Sequence, residues 1–301
     1  MVLILKKLHF LRNNNQTIVS YHIVMYRNVS YRDLVMSIRN SYIDLLKSLA
    51  IFFMIIDHID FFLPIGTPSA VIIHGFGRLA MPLFFVTHGY LLAHTLVHPP
   101  ALSRIIKIAF YGSLVSTALI YFKNWYIFNI LFQFVYIELL WLYFWSRGRG
   151  ICIQAVFLAA LYCLFVTLVA SFIFNDSTDY LNGIIEYGAF PLFYSVAGSV
   201  LGYRVSDKGA QIVSMLILVI TLSFQYNFVI LALASFLVDP SFVVWLPISF
   251  IIPALVWYIP KSINSFAFSS PLFHATVHFI SRNALTIYVS HILLFISLSS
   301  L

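Results

Sequence analysis

After residue 40, polar residues are scarce and come in clusters, and the gaps between clusters define the elements. Apolar stretches run at about 42–63, 72–96, 104–122, 126–145, 151–174 and 183–203. Each approaches or exceeds the ~20 residues a helix needs to cross a bilayer. The runs are continuous rather than alternating, which predicts helices and not a barrel. Pro64, the pair Pro99-Pro100, SRGRG at 146–150, NDSTDY at 175–180, and Arg204 with Lys208 separate them. Residues 209–238 are then apolar for thirty positions, with QYN at 225–227. One bent span or two short ones would fit. One span puts Lys261 and Arg282 on the same side as Arg204, and two spans put them opposite. A last span is expected at about 283–300. The pattern predicts an all-α polytopic membrane protein, a bundle of about nine transmembrane helices (ten on the second reading).

Composition agrees with this. The 301 residues are 61% hydrophobic and 9% charged, against about 25% charged in soluble domains. The net charge of +7 would raise nucleic acid as a partner in a soluble chain. Here much of the basic charge lies in the first forty residues and the short loops, so it reads as a topology signal and no nucleic acid is expected. Residues 1–40, with Lys6, Lys7, Arg12, Arg27, Arg32 and Arg39, are expected to be a poorly ordered cytoplasmic tail. Residues 41–301 are expected to form the transmembrane domain. Arg104, Lys107, Arg147, Arg149, Arg204 and Lys208 then mark the cytoplasmic side. Cys152 and Cys163 share a helix face, but eleven residues of helix rise hold them about 16 Å apart, so they cannot pair.

Polar groups at membrane depth carry the chemistry, because an ionisable side chain there is costly and points to a site. IIDHIDFF at 55–62 holds Asp57, His58 and Asp60. Lys47 lies eleven residues before His58, on nearly the same face. In HGFGRLAMPLFFVTHGYLLAH, 74–94, the residues His74, Arg78 and His88 share an arc, and Pro82 is expected to bend the helix. The short turn between these segments would bring Arg78 to Asp57, each neutralising the other. FNILFQF at 128–134 puts Asn129 and Gln133 on one face, with Glu138 further along. NALTIYVSH at 283–291 carries Tyr288 and His291. EYGAFPLF at 186–193 echoes RLAMPLF at 78–84 in its A-x-P-L-F, a weak sign of paired broken helices.

These residues resemble the TraX family. Its pattern of a Lys, an apolar stretch, M-x-x-D-H and then G-R-x-A-x-P-x-F is met by Lys47, Met54, Asp57, His58, Gly77, Arg78, Ala80, Pro82 and Phe84. The Asn-Ile-Leu-Phe at 129–132, the Tyr-Gly at 187–188 and the closing Tyr288-x-x-His291 also resemble it. The family includes the conjugation protein that acetylates the N-terminus of F-type pilin. The resemblance implies a multi-pass acetyltransferase of the bacterial inner membrane, with acetyl-CoA as co-substrate and a pilin or another envelope acceptor as partner. Departures are His88, where relatives often carry Glu, and the first forty residues.

On this reading the candidate catalytic residues are His58, Asp57, Arg78 and His291. Lys47 is the candidate for the donor's phosphates, and Tyr288, Asn129, Gln133 and His88 for the substrate cavity. No metal is expected. An N-in topology puts Asp57, His58 and Arg78 in the outer half of the bilayer, where a donor arriving from the cytoplasm could meet an acceptor from outside. His58 would be the general base, Asp57 would hold Arg78 or His58, and Arg78 or a backbone donor near Gly77 would stabilise the oxyanion. A transporter or pilus-assembly scaffold, which also buries Asp, His and Arg, is the rival from another class. An acyltransferase acting on an envelope glycan is the nearer alternative.

Overall fold

The computed structural model describes residues 41–62, 77, 79–94, 98–123, 129–174, 188–204, 207–232, 251–259 and 270–299. The described elements are all helical. They are α1 (Ser41–Phe62), α2 (Ala80–His94), α3 (Leu102–Lys123), α4 (Leu131–Phe144), α5 (Arg149–Phe174), α6 (Phe190–Tyr203), α7 (Lys208–Ala232), α8 (Pro271–Arg282) and α9 (Ala284–Leu298). Residues 251–259 are also helical. A one-turn 3-10 helix, Trp145–Arg147, joins α4 to α5.

Among the described residues, two helices are long and apolar enough to cross a membrane, at Leu102–Phe122 and Arg149–Thr167. Taken together, α8 and α9 would be a third, bent by 75° between them. Outward-facing Ile106, Phe110 and Tyr121 on α3, Leu158, Tyr162 and Phe165 on α5, and Ile212, Leu216 and Ile220 on α7 are exposed. Rows of large apolar side chains on several helices suit a lipid environment rather than water. The QYN triplet does not interrupt α7, which runs unbroken through it to Ala232. Residues 233–238 of the expected span, and Lys261, lie outside the described residues.

Three described helices have starts that hydropathy does not mark, at Ala80, Leu131 and Phe190. Pro82 does not bend α2. It sits in the first turn, where backbone N–H groups have no intrahelical acceptor and a missing one costs nothing. Pro191 stands likewise at the start of α6, after Gly188 turns the chain at φ +56°. A-x-P-L-F is therefore a helix-start signal used twice. The helix expected from 126 begins at Leu131, beside the middle of α3: Gly112 packs against Leu131 and Phe132. Ser116 Oγ lies 3.4 Å from the Asn129 N–H.

The tightest packing is between the two A-x-P-L-F helices. They run in the same direction, with Val86 against Gly198 and Tyr90 against Gly202. A Cβ added at Gly198 would collide with the Val86 carbonyl, and one at Gly89 with the Ser195 carbonyl. Small residues at Gly89, Ser195, Gly198, Ser199 and Gly202 let backbone meet backbone, as in small-xxx-small membrane helix pairs. Ser199 Oγ donates to the Gly89 carbonyl at 3.1 Å. On its other side α2 packs against α1, which is also covered by α8 and α9. The last helix touches α3 as well as α1 and so closes the bundle. Buried Leu46, Ala50, Leu83, Phe85, Val86, Leu192, Ala197 and Leu201 form the common core.

Candidate functional site

α1 sets the site's long axis. Near its start, Ser281 Oγ donates to Asp44 Oδ1 at 2.6 Å, and Ser48 Oγ donates to the Val277 carbonyl at 2.9 Å. Near its end, His58 Nδ1 lies 2.8 Å from His291 Nε2, the rings stacked at 29°. Between these ties a cavity of about 370 Å³ opens, lined by Met54, Asp57 and His58 of α1, Gly77, residues of α2, α3 and α4, and Ser281 to Thr286 at the α8–α9 bend.

The imidazole pair has a definite proton order. His291 Nδ1 is 2.9 Å from the Ile287 carbonyl. A carbonyl only accepts, so His291 Nδ1 carries the proton and neutral His291 presents a lone pair at Nε2. His58 Nδ1–H must then donate to that lone pair, and the basic nitrogen of neutral His58 is Nε2. This assignment follows from the partners rather than from visible hydrogens. His58 is half-buried and lines the cavity, whereas His291 is buried behind it. His291 is therefore not a lining residue of this cavity and contacts one, His58.

Around this pair, Tyr288 Oη donates to Asn129 Oδ1 at 2.9 Å, and the same oxygen accepts the Leu131 N–H at 3.0 Å. Asn129 thus starts α4 and fixes the Tyr288 ring, whose centroid is 6.3 Å from that of His58. Asp57 is buried, and the backbone of Gly77 packs so closely on it that a Cβ at 77 would strike Asp57. The two halves of the D-H and G-R motif therefore meet, as their short connection suggests. Arg78 and His74 lie outside the described residues, as does the side chain of Asp60.

Two expected positions, Gln133 and Lys47, fall elsewhere, whereas His88 lines the first cavity. Gln133 does not line the cavity. Its Nε2 donates to the Gly188 carbonyl at 3.1 Å, tying α4 to the turn that starts α6. Lys47 lines a second cavity of about 250 Å³, with Thr87, Leu91 and Leu92. The two cavities share Phe84, His88, Arg104 and Phe134 as a partition. His88 stands edge-on to Phe134, its Nε2 3.6 Å from Glu138 Oε1.

Sequence reading did not join Glu138 to Arg104. Glu138 is fully buried, and Arg104 Nη2 reaches its Oε1 at 2.8 Å. A lone carboxylate on an apolar helix demands a cation, and that demand was the available signal. In the structure Arg104, Lys107 and Arg282 all line the first cavity. They lie at the end opposite His58. Arg282 adjoins Ser281 and hence the level of Asp44, and fourteen residues of α1 separate Asp44 from His58, about 21 Å of rise. Along α3, Arg104 precedes Ser116, the level of Asn129, by about 18 Å.

The geometry gives a site with cations at one end and an oriented imidazole at the other. The TraX family (TraX protein) matches residues 42–239, which include Asp57, His58, Gly77, Arg104 and Glu138 but stop short of α8 and α9. No curated protein and no solved structure matches the chain. With more than half of its length inside that match, the chain belongs to the TraX family.

Proposed function

We propose that the protein is a membrane-embedded acyltransferase of the bacterial inner membrane. It moves an acetyl group from acetyl-CoA to an acceptor of the cell envelope, and the N-terminal amine of a pilin subunit is the acceptor we favour. The observation that carries the reading is the His58–His291–Ile287 line at the wall of a cavity. It holds one imidazole with its basic nitrogen defined, which is what a general base requires.

His58 Nε2 takes a proton from the acceptor amine as the amine nitrogen attacks the thioester carbonyl. The tetrahedral intermediate collapses with cleavage of the C–S bond. His58 returns the proton to the leaving sulfur, giving an amide and free CoA thiol. His291 holds the ring angle of His58 and supplies an acceptor that favours the Nε2-basic tautomer. Asp57, with Gly77 packed on it, fixes the adjoining wall. The two A-x-P-L-F helices run in the same direction and are not an inverted-repeat pair.

The test is acetyl transfer from acetyl-CoA to a pilin N-terminal peptide by purified protein. His58→Ala is expected to lower the rate by about 10²–10⁴-fold, the usual contribution of a general base. Undiminished transfer by His58→Ala would remove this mechanism. An acetylated hydroxyl in place of an amine would move the acceptor to an envelope glycan.

A further inference from the structure

The basic end of the cavity has a second use. Arg104, Lys107 and Arg282 come from two helices far apart in the chain, yet all three line one cavity mouth and are exposed. Arg104 spends one guanidinium nitrogen on Glu138 and keeps further N–H donors. Among the described lining residues the one carboxylate, Asp57, is at the far end. The first turn of α9 also lines this cavity with Ala284, Leu285 and Thr286. Its cap residue Asn283 makes no side-chain hydrogen bond to it, so the positive end of that helix adds to the same field. Clustered cations with a helix start form a seat for phosphate. A cavity of this size is in the range that takes a small-molecule ligand.

We propose that Arg104, Lys107 and Arg282 bind the phosphates of the acyl donor, so that CoA enters head-last with its thiol arm running along the cavity to His58. This deepens the acyltransferase reading and rests on it. From Asp44 to His58 α1 rises about 21 Å, and from Ala284 at this end to His291 beside His58 α9 rises about 10 Å; an extended pantetheine arm spans either distance. This orientation also puts the donor's charged head at the end where the chain's basic residues gather, the cytoplasmic end by charge bias. Lys47, beyond the His88–Phe134 partition, does not hold the phosphates.

The test compares acetyl-CoA with S-acetylpantetheine, which has the same thioester and arm but no phosphate. In purified full-length protein, the double variant Lys107→Glu, Arg282→Glu is expected to reduce the kcat/KM preference for acetyl-CoA over S-acetylpantetheine by about tenfold or more. An unchanged preference would overturn the proposal and leave the acyltransferase reading intact. Protection from thermal unfolding by CoA is measured in parallel and needs no turnover. If the wild type transfers no acetyl group but CoA protects it and not the double variant, the phosphate seat stands and the acyltransferase reading falls. Absence of both turnover and CoA protection removes both. Protection by phosphatidylglycerol but not by CoA would assign the cluster to lipid headgroups and overturn the proposal.

Discussion

Two helix pairs in this molecule meet by opposite means. α2 and α6 meet backbone to backbone, with Gly89, Gly198 and Gly202 each too close to a neighbouring carbonyl to carry a side chain. α1 meets α8 and α9 through side chains: Ser281 to Asp44, Ser48 to the Val277 carbonyl, and His58 to His291. The first contact leaves no room for a side chain at those glycines. The second holds its helices apart at defined points, and the cavity occupies the gap. A bilayer offers little hydrophobic force between helices, so association must come from close packing or from polar ties. This chain weights the two strategies differently in its two contacts, with Ser199 to the Gly89 carbonyl as a polar tie within the close-packed one. The close-packed pair is scaffold, and the polar pair is the wall of a site.

The comparison can be broken at several points. Gly198→Val puts a branched side chain into the Val86 carbonyl and is expected to cost about 3 kcal/mol or more, the upper end for overpacking. Early melting in detergent and loss of folded yield would report it. By contrast His58→Ala should shift melting by about 1 kcal/mol, the worth of one hydrogen bond, while abolishing most transfer. If His58→Ala melts as early as Gly198→Val, the division into scaffold and site is wrong. Arg104→Ala leaves the buried Glu138 carboxylate without its 2.8 Å partner. A loss of about 1–3 kcal/mol is expected, largely restored by adding Glu138→Gln. Ser281→Ala removes the bond to Asp44 and should cost about 1.5 kcal/mol. Tyr288→Phe should cost least, about 1 kcal/mol or below, because Asn129 Oδ1 retains the Leu131 N–H. Thermal melts of the purified variants rank the last three.

Much of the helical layout was legible in the sequence. Apolar runs at 42–63, 104–122 and 151–174 match α1, α3 and α5 to within two residues at each end. Helix starts were less legible, since hydropathy does not distinguish apolar helix from apolar turn. Asn129–Ile130 and Gly188–Ala189 are turns inside apolar stretches, and Pro82 and Pro191 were better guides than hydropathy. The site was legible in part. His58, Tyr288, Asn129 and His291 come together, and Asp57 and Gly77 touch. The Arg104–Glu138 pair was not legible, because an ion pair between residues 34 apart depends on how α3 and α4 are staggered. That stagger is set by the late start of α4 beside Gly112. The small residues Ser195, Gly198, Ser199 and Gly202 stand in the sequence at helical spacing, but hydropathy gives close backbone approach no signal of its own.

The imidazole line ends on the Ile287 carbonyl. A peptide oxygen is far too weak a base to take a proton, so charge collected at His58 cannot be passed onward along this line. On the proposed mechanism it returns to the substrates. The catalytic cycle is then a closed circuit with no net movement of charge across the bilayer. Dissipating the membrane potential with an ionophore should leave the turnover rate unchanged, whatever side the acceptor comes from.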